Sequence, residues 1–435
     1  MKTENRYFDV FPKIVPADST TTITIKDRHC QSFIKDGIEY EMRYYPLERF
    51  SPVSEYKYQE VKIIKAVRGV LNIEQYFKGE QEHVLEIRAK SSEDRNKSLC
   101  FRIYSLNTDL FGRKPFKGDM HMHTYHSDGK ESPGFVTASC RKIGFDFMAI
   151  TDHERYYPSK ESQKIFETVD VDLLICRGEE VHPVNNPVHM INFGGSFSIN
   201  EKIKENKELY FDEVRKIEEG LAGIPDRDAR YQCASCIWSF EKIREGGGLG
   251  IFCHPYWQVG DGYYISDTVI SYLHDTQPFD ALEVIGGYSK SEEDSNTLQV
   301  ARYHEERSKG RKIPIVGVSD AHGCENSDLF GWYYTIVFSS SLNQNEIISG
   351  IKDLYSVAVE AIPGESIRAY GPFRFVKFAL YLIREILPDH DDLCYEEGKL
   401  MMLYLSGEEG VTEKLGVLNG QIKRLYNKLW AGNAG

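Results

Sequence analysis

His121 and His123 stand one residue apart in GDMHMHTYHSDG (118–129), with His126 and Asp128 close behind, in a chain that has 13 histidines among 435 residues. The segment 118–124 reads as a strand running up to a turn, and residues two apart on a strand point to the same face. Both imidazoles then reach one point in space. That is the arrangement of a metal chelate, with metal–nitrogen distances of roughly 2.0 to 2.1 Å if the ion is zinc. A lone histidine is more often a core residue satisfied by backbone hydrogen bonds. A pair at this spacing fits that account poorly.

The same residue types recur wherever an apolar run ends further along. DFMAITDH ends in Asp152 and His153, LLICRGEEVH in Glu179, Glu180 and His182, and PVHMINFGG carries His189. LGIFCHPYW contains His254, and IPIVGVSDAHG ends in Asp320 and His322, whose spacing repeats that of the first pair. Ten of the 13 histidines fall between 121 and 322. The set contains only imidazole and carboxylate, which suits zinc, manganese or iron rather than the all-oxygen shell of calcium. It is too large for one ion, so two or three ions sharing a bridging carboxylate are expected.

The elements that must position these side chains follow from the pattern of the chain. Residues 114–365 alternate apolar strands with helical stretches such as PGFVTASCRKIGF, IWSFEKIREGGG and TLQVARYHEERSKG. Such alternation predicts parallel strands joined by crossover helices, in a barrel or an open sheet, with function at the carboxyl ends of the strands. Residues 1–113 instead contain short alternating runs (TTTITIKD, GIEYEMRYY, YQEVKIIKAV, GVLNIEQYF, HVLEIRAK, LCFRIYSL), which predict a separate antiparallel β domain of sandwich type. Residues 366–435 carry apolar residues at helical spacing, read as a helical extension that packs on the barrel or on a sister subunit, so a homo-oligomer is one expected partner state.

Composition narrows the function classes. The chain is 41% hydrophobic and 27% charged, as ordinary globular proteins are, and its formal net charge is −13. That balance disfavours a sequence-independent grip on nucleic acid, although bound divalent cations would reverse the sign locally. Of nine cysteines only Cys233 and Cys236 (CASC) form a CxxC, without a second pair, so free thiols are expected. No apolar run of about 18 residues and no apolar N-terminal core is present, and a soluble cytoplasmic protein with no membrane partner is expected.

The ordered motifs HMHTYHSDG, GFDFMAITDH, RGEE, VHMINFGG, IFCHPYW and VSDAHG resemble those of the polymerase and histidinol phosphatase (PHP) family of metal-dependent phosphoesterases, over about residues 117–363. The resemblance implies a distorted seven-stranded (β/α) barrel with a trinuclear metal centre. Its ligand positions correspond here to His121, His123, Asp128, His153, Glu180 as the bridging glutamate, His189, His254, Asp320 and His322. It also implies hydrolysis of a phosphate ester by a metal-activated water. A small phosphomonoester or nucleotide is the expected substrate, and an oligonucleotide phosphodiester is the alternative. A metal-dependent amidohydrolase would show a lysine at the matching strand ends and a single late aspartate, unlike the SDAH ending. A non-catalytic carbohydrate- or protein-binding module would lack ligands, and none is missing.

Other residues have weaker claims. His182, two after Glu180, is a candidate proton donor to the leaving group. Arg155, Arg227 and Arg230 are candidate phosphate clamps, because guanidinium matches phosphate oxygens in pairs. Tyr256 and Trp257 are candidates for the substrate mouth. His126 is expected at the surface, and Asp152 and Glu179 in supporting hydrogen bonds.

Overall fold

The computed structural model describes residues 7–28, 33–48, 60–90, 98–325 and 328–432. The chain forms two compact units. One comprises residues 1–114, 377–392 and 420–435, and the other residues 115–376 and 393–419. The C-terminal helices are therefore divided between the two instead of standing as an extension of their own. One reason is visible at the chain end, where Ala431 donates its N–H to Ile14 O and Lys13 to Leu429 O, which ties the terminus to the first unit's strands.

The first unit holds β1 (Phe8–Phe11), β2 (Ile14–Pro16), β3 (Ser19–Asp27), β4 (Glu39–Pro46), β5 (Glu60–Lys65), β6 (Val70–Phe77), β7 (Gln81–Ala89) and β8 (Ser98–Leu106). Tyr58 and Gln59, read from sequence as the start of a strand, lie outside the described residues. The strands form sheets of order β1-β3-β6 and β2-β8-β7-β4-β5. All pairings are antiparallel except β2 with β8. Period-two patterning sets the buried faces. On β6, Leu71, Ile73 and Phe77 are buried while Asn72, Glu74 and Tyr76 are exposed, and the buried set joins Ile23, Ile25, Met42, Leu85, Ile87 and Phe101 in one core.

That core contains a titratable group. His83 on β7 is fully buried, with Nδ1 at 2.9 Å from Tyr44 Oη and Nε2 at 2.7 Å from Ser105 Oγ. Burial pushes its pKa down from 6.5 to about 3. Between those values the unfolded chain holds a proton that the folded chain does not. The contribution of the neutral ring to stability is thus full above pH 6.5 and is lost as pH falls, by on the order of 1 kcal/mol per pH unit. His83→Gln removes the titration. Calorimetric unfolding of the intact chain should show the variant's deficit against wild type shrinking by about 2 kcal/mol between pH 7 and pH 5. A constant deficit would mean that the ring is not held neutral.

The second unit contains β9 (Lys114–Asp119), β10 (Phe147–Ala149), β11 (Leu174–Cys176), β12 (Gly178–Val181), β13 (Met190–Phe193) and β14 (Leu249–Phe252). The hairpin β15 (Gln258–Val259) and β16 (Gly262–Tyr263) follows, and then β17 (Ala281–Gly286), β18 (Ile315–Val318), β19 (Tyr333–Ser339), β20 (Ser356–Glu360) and β21 (Arg368–Tyr370). Two curled sheets, β11-β10-β9-β19-β20-β21 and β12-β13-β14-β17-β18, share a core of Phe116, Phe147, Ile191, Ile251, Val316 and Val337. Single bridges stitch the sheets together at the site end, Met122 to Ala321 and His153 to Glu180. The expected helices form at Pro133–Lys142, Arg227–Glu245 and Glu293–Ser308. Ser132 and Asp226 accept N-terminal N–H groups of the first two.

Three features depart from the sequence expectation. The sheet is not all parallel: β13 runs antiparallel to both β12 and β14. The connection HPVNNPVH between β12 and β13 is too short and proline-rich for a crossover helix. The first strand stops at Asp119, and His121 and His123 lie beyond it, flanking the Met122 bridge that keeps both on one side. Asp320 and His322 likewise lie past β18, and Asp320 has φ 55°. They do not share a strand face, because the left-handed turn sends them to different parts of the site.

Candidate metal centre

Glu180 is the residue around which the others gather. Its carboxylate is fully buried. Oε2 lies 2.7 Å from His153 Nδ1, 3.4 Å from His121 Nε2 and 3.5 Å from His123 Nε2. Oε1 lies 2.8 Å from His189 Nδ1, 3.4 Å from His182 Nε2 and 4.0 Å from His254 Nε2. Asp320 Oδ1 sits 2.9 Å from His123 Nε2 and 3.1 Å from His121 Nε2. On the outer side, Asp128 Oδ2 is 3.3 Å from both His153 Nε2 and His322 Nε2. The nine residues expected as ligands thus fall into one assembly in which Glu180 and the imidazoles link an inner group (His121, His123, Glu180, Asp320) to an outer one (His123, Asp128, His153, His322).

Local backbone explains how such residues meet. The turn SDG brings Gly129 so close to the preceding chain that a Cβ there would lie 2.5 Å from His123 O, and this tight return presents Asp128 to the outer group. Asp152 accepts from Thr124 N at 2.8 Å, Thr124 Oγ1 at 2.6 Å and Ser127 Oγ at 2.6 Å, which fixes the same turn. Glu179 points away from Glu180 and accepts from Ile199 N, Ser198 Oγ, Asn192 Nδ2 and Asn200 Nδ2. His254 and Asp320 both have positive φ, 24° and 55°, a conformation held by the surrounding structure and typical of functional sites.

The donor set fits divalent ions. His121 Nδ1 and Nε2, both oxygens of Glu180 and His254 Nδ1 are buried without a hydrogen-bond partner among the described residues, which is costly unless a cation satisfies them. Burial opposes ionisation of Glu180, but His189, His121 and His182 hold its carboxyl well below the ordinary range. Asp128 is likewise held low, against burial, by His153 and His322. Burial, with His254 and His182, takes His189 down to about 4 against the pull of Glu180, whereas Asp128 and Glu180 overcome burial at His153 and raise that ring to about 10. The carboxylates thus stay anionic and ready to bind cations.

The remaining candidates separate. His182 faces the cluster, 3.0 Å from His153 Nδ1 through Nε2. His126 bonds Glu161 and Tyr157 at the surface. Arg155 is exposed on the wall of a cleft of about 490 Å³ with Ser127, Asp128, His153, Tyr157 and Lys204. Arg230 instead bonds Pro225 O at the start of its own helix, and Arg227 is exposed there, so neither is brought to the cluster. Trp257 lines a smaller cleft of about 140 Å³ over His189, His254, Asp320 and His322. Tyr256 is partly buried against the core, and the exposed Tyr263 packs edge-on to its ring. Sequence reasoning missed Glu283, fully buried beside His254 and His121, and Tyr264, whose ring lies 5.1 Å from that of Trp257. Glu283 left a signal as the one charge in the strand ALEVIG. Cys233 and Cys236 are buried free thiols on a helix, and among the described residues no helix is long and apolar enough to cross a membrane.

No family model matches the chain. The DNA polymerase/3'-5' exonuclease PolX of Bacillus subtilis (strain 168) is 43% identical over 53 residues, 12% of this chain, and the chain spans only 9% of that relative. Solved structures similar to it include PHP-like metal-dependent phosphoesterases. One is a two-domain protein of Bacteroides vulgatus containing a predicted PHP-like metal-dependent phosphoesterase, with TM-score 0.40, 16% identity, and coverage of 57% of this chain and 66% of that one. Another, from Bifidobacterium adolescentis and provisionally described as a metal-dependent phosphoesterase, has TM-score 0.34, 18% identity, and coverage of 54% and 94%. An amidohydrolase from Chromobacterium violaceum has TM-score 0.32, 18% identity, and coverage of 49% and 90%.

Metal should stabilise the folded chain strongly. At free metal about 1,000-fold above its Kd, linkage contributes about 4 kcal/mol per site, so adding zinc or manganese to metal-free protein should raise Tm and chelator should reverse it. Glu180→Gln should abolish most of that rise. A full rise in the variant would show that Glu180 does not bridge the site.

Proposed function

We propose that the chain is a metal-dependent hydrolase of phosphate esters, acting on a small phosphomonoester at a centre of two or three ions. The observation that carries this reading is one buried carboxylate, Glu180, reached by six imidazoles and flanked by Asp128 and Asp320. His121, His123, Glu180 and Asp320 would hold the inner ion or ions, Asp128, His153 and His322 the outer one, with His189 and His254 completing the set. When bound, such ions supply Lewis acidity toward phosphoryl oxygens and acidify water to roughly neutral pKa.

The chain's own residues do the rest. Glu180 and Asp320 place negative charge where cations must sit, and Asp128 closes the outer side. Arg155 has no acidic partner among the described residues and faces the cleft that adjoins Asp128 and His153. Its guanidinium is available to pair two phosphate oxygens. His182, at the partly exposed rim of the cluster, is placed to hold a proton at Nε2 for the leaving oxygen. Trp257 lines the smaller cleft over His189 and His254. The overall negative charge favours a small substrate over a polymer. A second reading, hydrolysis of the diester of an oligonucleotide, draws support from the short match to the PolX exonuclease.

Hydrolysis of p-nitrophenyl phosphate against its bis-ester, with metal-loaded protein, separates the two. The monoester should be preferred, activity should vanish on chelation and return with manganese, zinc or iron, and Arg155→Ala should raise KM about tenfold or more with less change in kcat. Preference for the bis-ester would favour the second reading. Metal-loaded protein that cleaves neither ester would remove both.

A further inference from the structure

We infer that Glu283 is a positioning residue, which fixes His121 and His254 in the tautomer that turns their Nε2 lone pairs toward the cluster. The inference rests on the metal-centre reading above. Glu283 is the only charged side chain of β17 and is fully buried. Its Oε2 lies 3.5 Å from His254 Nδ1 and 3.9 Å from His121 Nδ1. The opposite nitrogens face inward: His121 Nε2 lies 3.1 Å from Asp320 and 3.4 Å from Glu180, and His254 Nε2 lies 2.8 Å from His189 Nδ1 and 4.0 Å from Glu180. Asp320 Oδ2 also lies 3.9 Å from His254 Nδ1, farther than Glu283 at 3.5 Å.

A neutral imidazole has one donor and one acceptor nitrogen. A carboxylate at Nδ1 draws the proton there and leaves Nε2 as the ligand atom, with the ring held in orientation. The two rings lie nearly parallel, 26° apart with centroids separated by 5.6 Å, so a single carboxylate can serve both. A purely structural buried acid looks different. Glu179, on β12 of the same sheet, has four protein donors, whereas among the described residues neither oxygen of Glu283 has a hydrogen-bond partner, and its Oε2 faces the two imidazoles with Cys253 close by. The loop after β17 leaves room for this contact because residue 287 is glycine: a Cβ there, at φ +68°, would lie 3.1 Å from both Glu283 Oε1 and His254 Nδ1.

The test is zinc titration of metal-free wild-type and Glu283→Gln protein by calorimetry, with nitrogen NMR of zinc-loaded, histidine-labelled wild type to read each ring's tautomer. Glu283→Gln should keep the wild-type number of sites and bind about 10- to 100-fold more weakly. His121 and His254 should both carry their proton on Nδ1. Unchanged affinity in the variant, or zinc on Nδ1 of either ring, would overturn the inference while leaving the metal centre intact. Loss of a full equivalent would overturn it too, since Glu283 would then be a ligand. Wild type that takes up no zinc would remove the metal-centre reading and this inference together. Should the variant not fold, the wild-type tautomers decide.

Discussion

The structure of the second unit depends on keeping the Glu180 carboxylate charged where there is no water. Moving a carboxylate from water into a protein interior costs several kcal/mol even after relaxation, and here Asp320 and Glu283 add further negative charge within the same few ångströms. Neutral imidazoles repay only part of that cost, because each has a single N–H to donate and its other nitrogen, with its lone pair toward an oxygen, repels it. Protons or metal cations must occupy the space between them. The same geometry that raises His153 far above its ordinary pKa in the absence of metal is the geometry that makes a divalent ion the better occupant, since one ion satisfies several nitrogens and oxygens at once.

Everything nearby serves that constraint. The nine candidate ligands lie on or near the ends of six strands, β9, β10, β12, β13, β14 and β18, so the two sheets must be stitched just where those residues lie, through Met122–Ala321 and His153–Glu180. The acids that do not face the cluster are used to brace it: Asp152 holds the turn before Asp128, Glu179 anchors the start of the helix Ile199–Glu205, and Asp119 accepts from His121 N and Ser319 N beneath the site. Burial raises the Asp119 carboxyl to about 7. Left-handed backbone at His254 and Asp320 shows that local conformational energy is given up to aim these side chains.

Most of this assembly was legible in the sequence because side chains suited to metal ligation leave a dense local signature. Imidazoles and carboxylates at the ends of apolar runs, as at His121, His153, His254 and His322, mark both where strands stop and what they carry. The alternation that defines β3, β4 and β6 to β8 was equally plain, since one face of each strand must be apolar. What was hidden depends on long-range geometry. Periodicity does not report strand direction, so the antiparallel β13 emerged only with the structure. Arg155 and Arg230 look alike in sequence, yet the first follows a ligand-bearing strand and the second opens a helix whose loop carbonyl it bonds. Glu283 was overlooked because its strand ends in glycines instead of ligands, although a lone charge in a fully buried strand needs a partner.

The sign of the local field then decides what the site can receive. A protein of net charge −13 repels anions at long range, and the acids of the cluster would repel them at short range. Three divalent ions would outweigh Asp128, Glu180 and Asp320 and leave a positive patch confined to the cleft. Arg155 extends that patch along the cleft wall, where it competes only with Glu154 and Glu201, which also line it, and Lys204, bonded to Glu154 at 2.8 Å, offsets part of their charge. With ions bound, positive charge confined to the cleft of a chain of net charge −13 would favour a ligand whose charge is concentrated in one compact group. A terminal phosphate has that form, whereas the distributed charge of a long polyanion would extend beyond the cleft and be repelled by the chain's net negative charge.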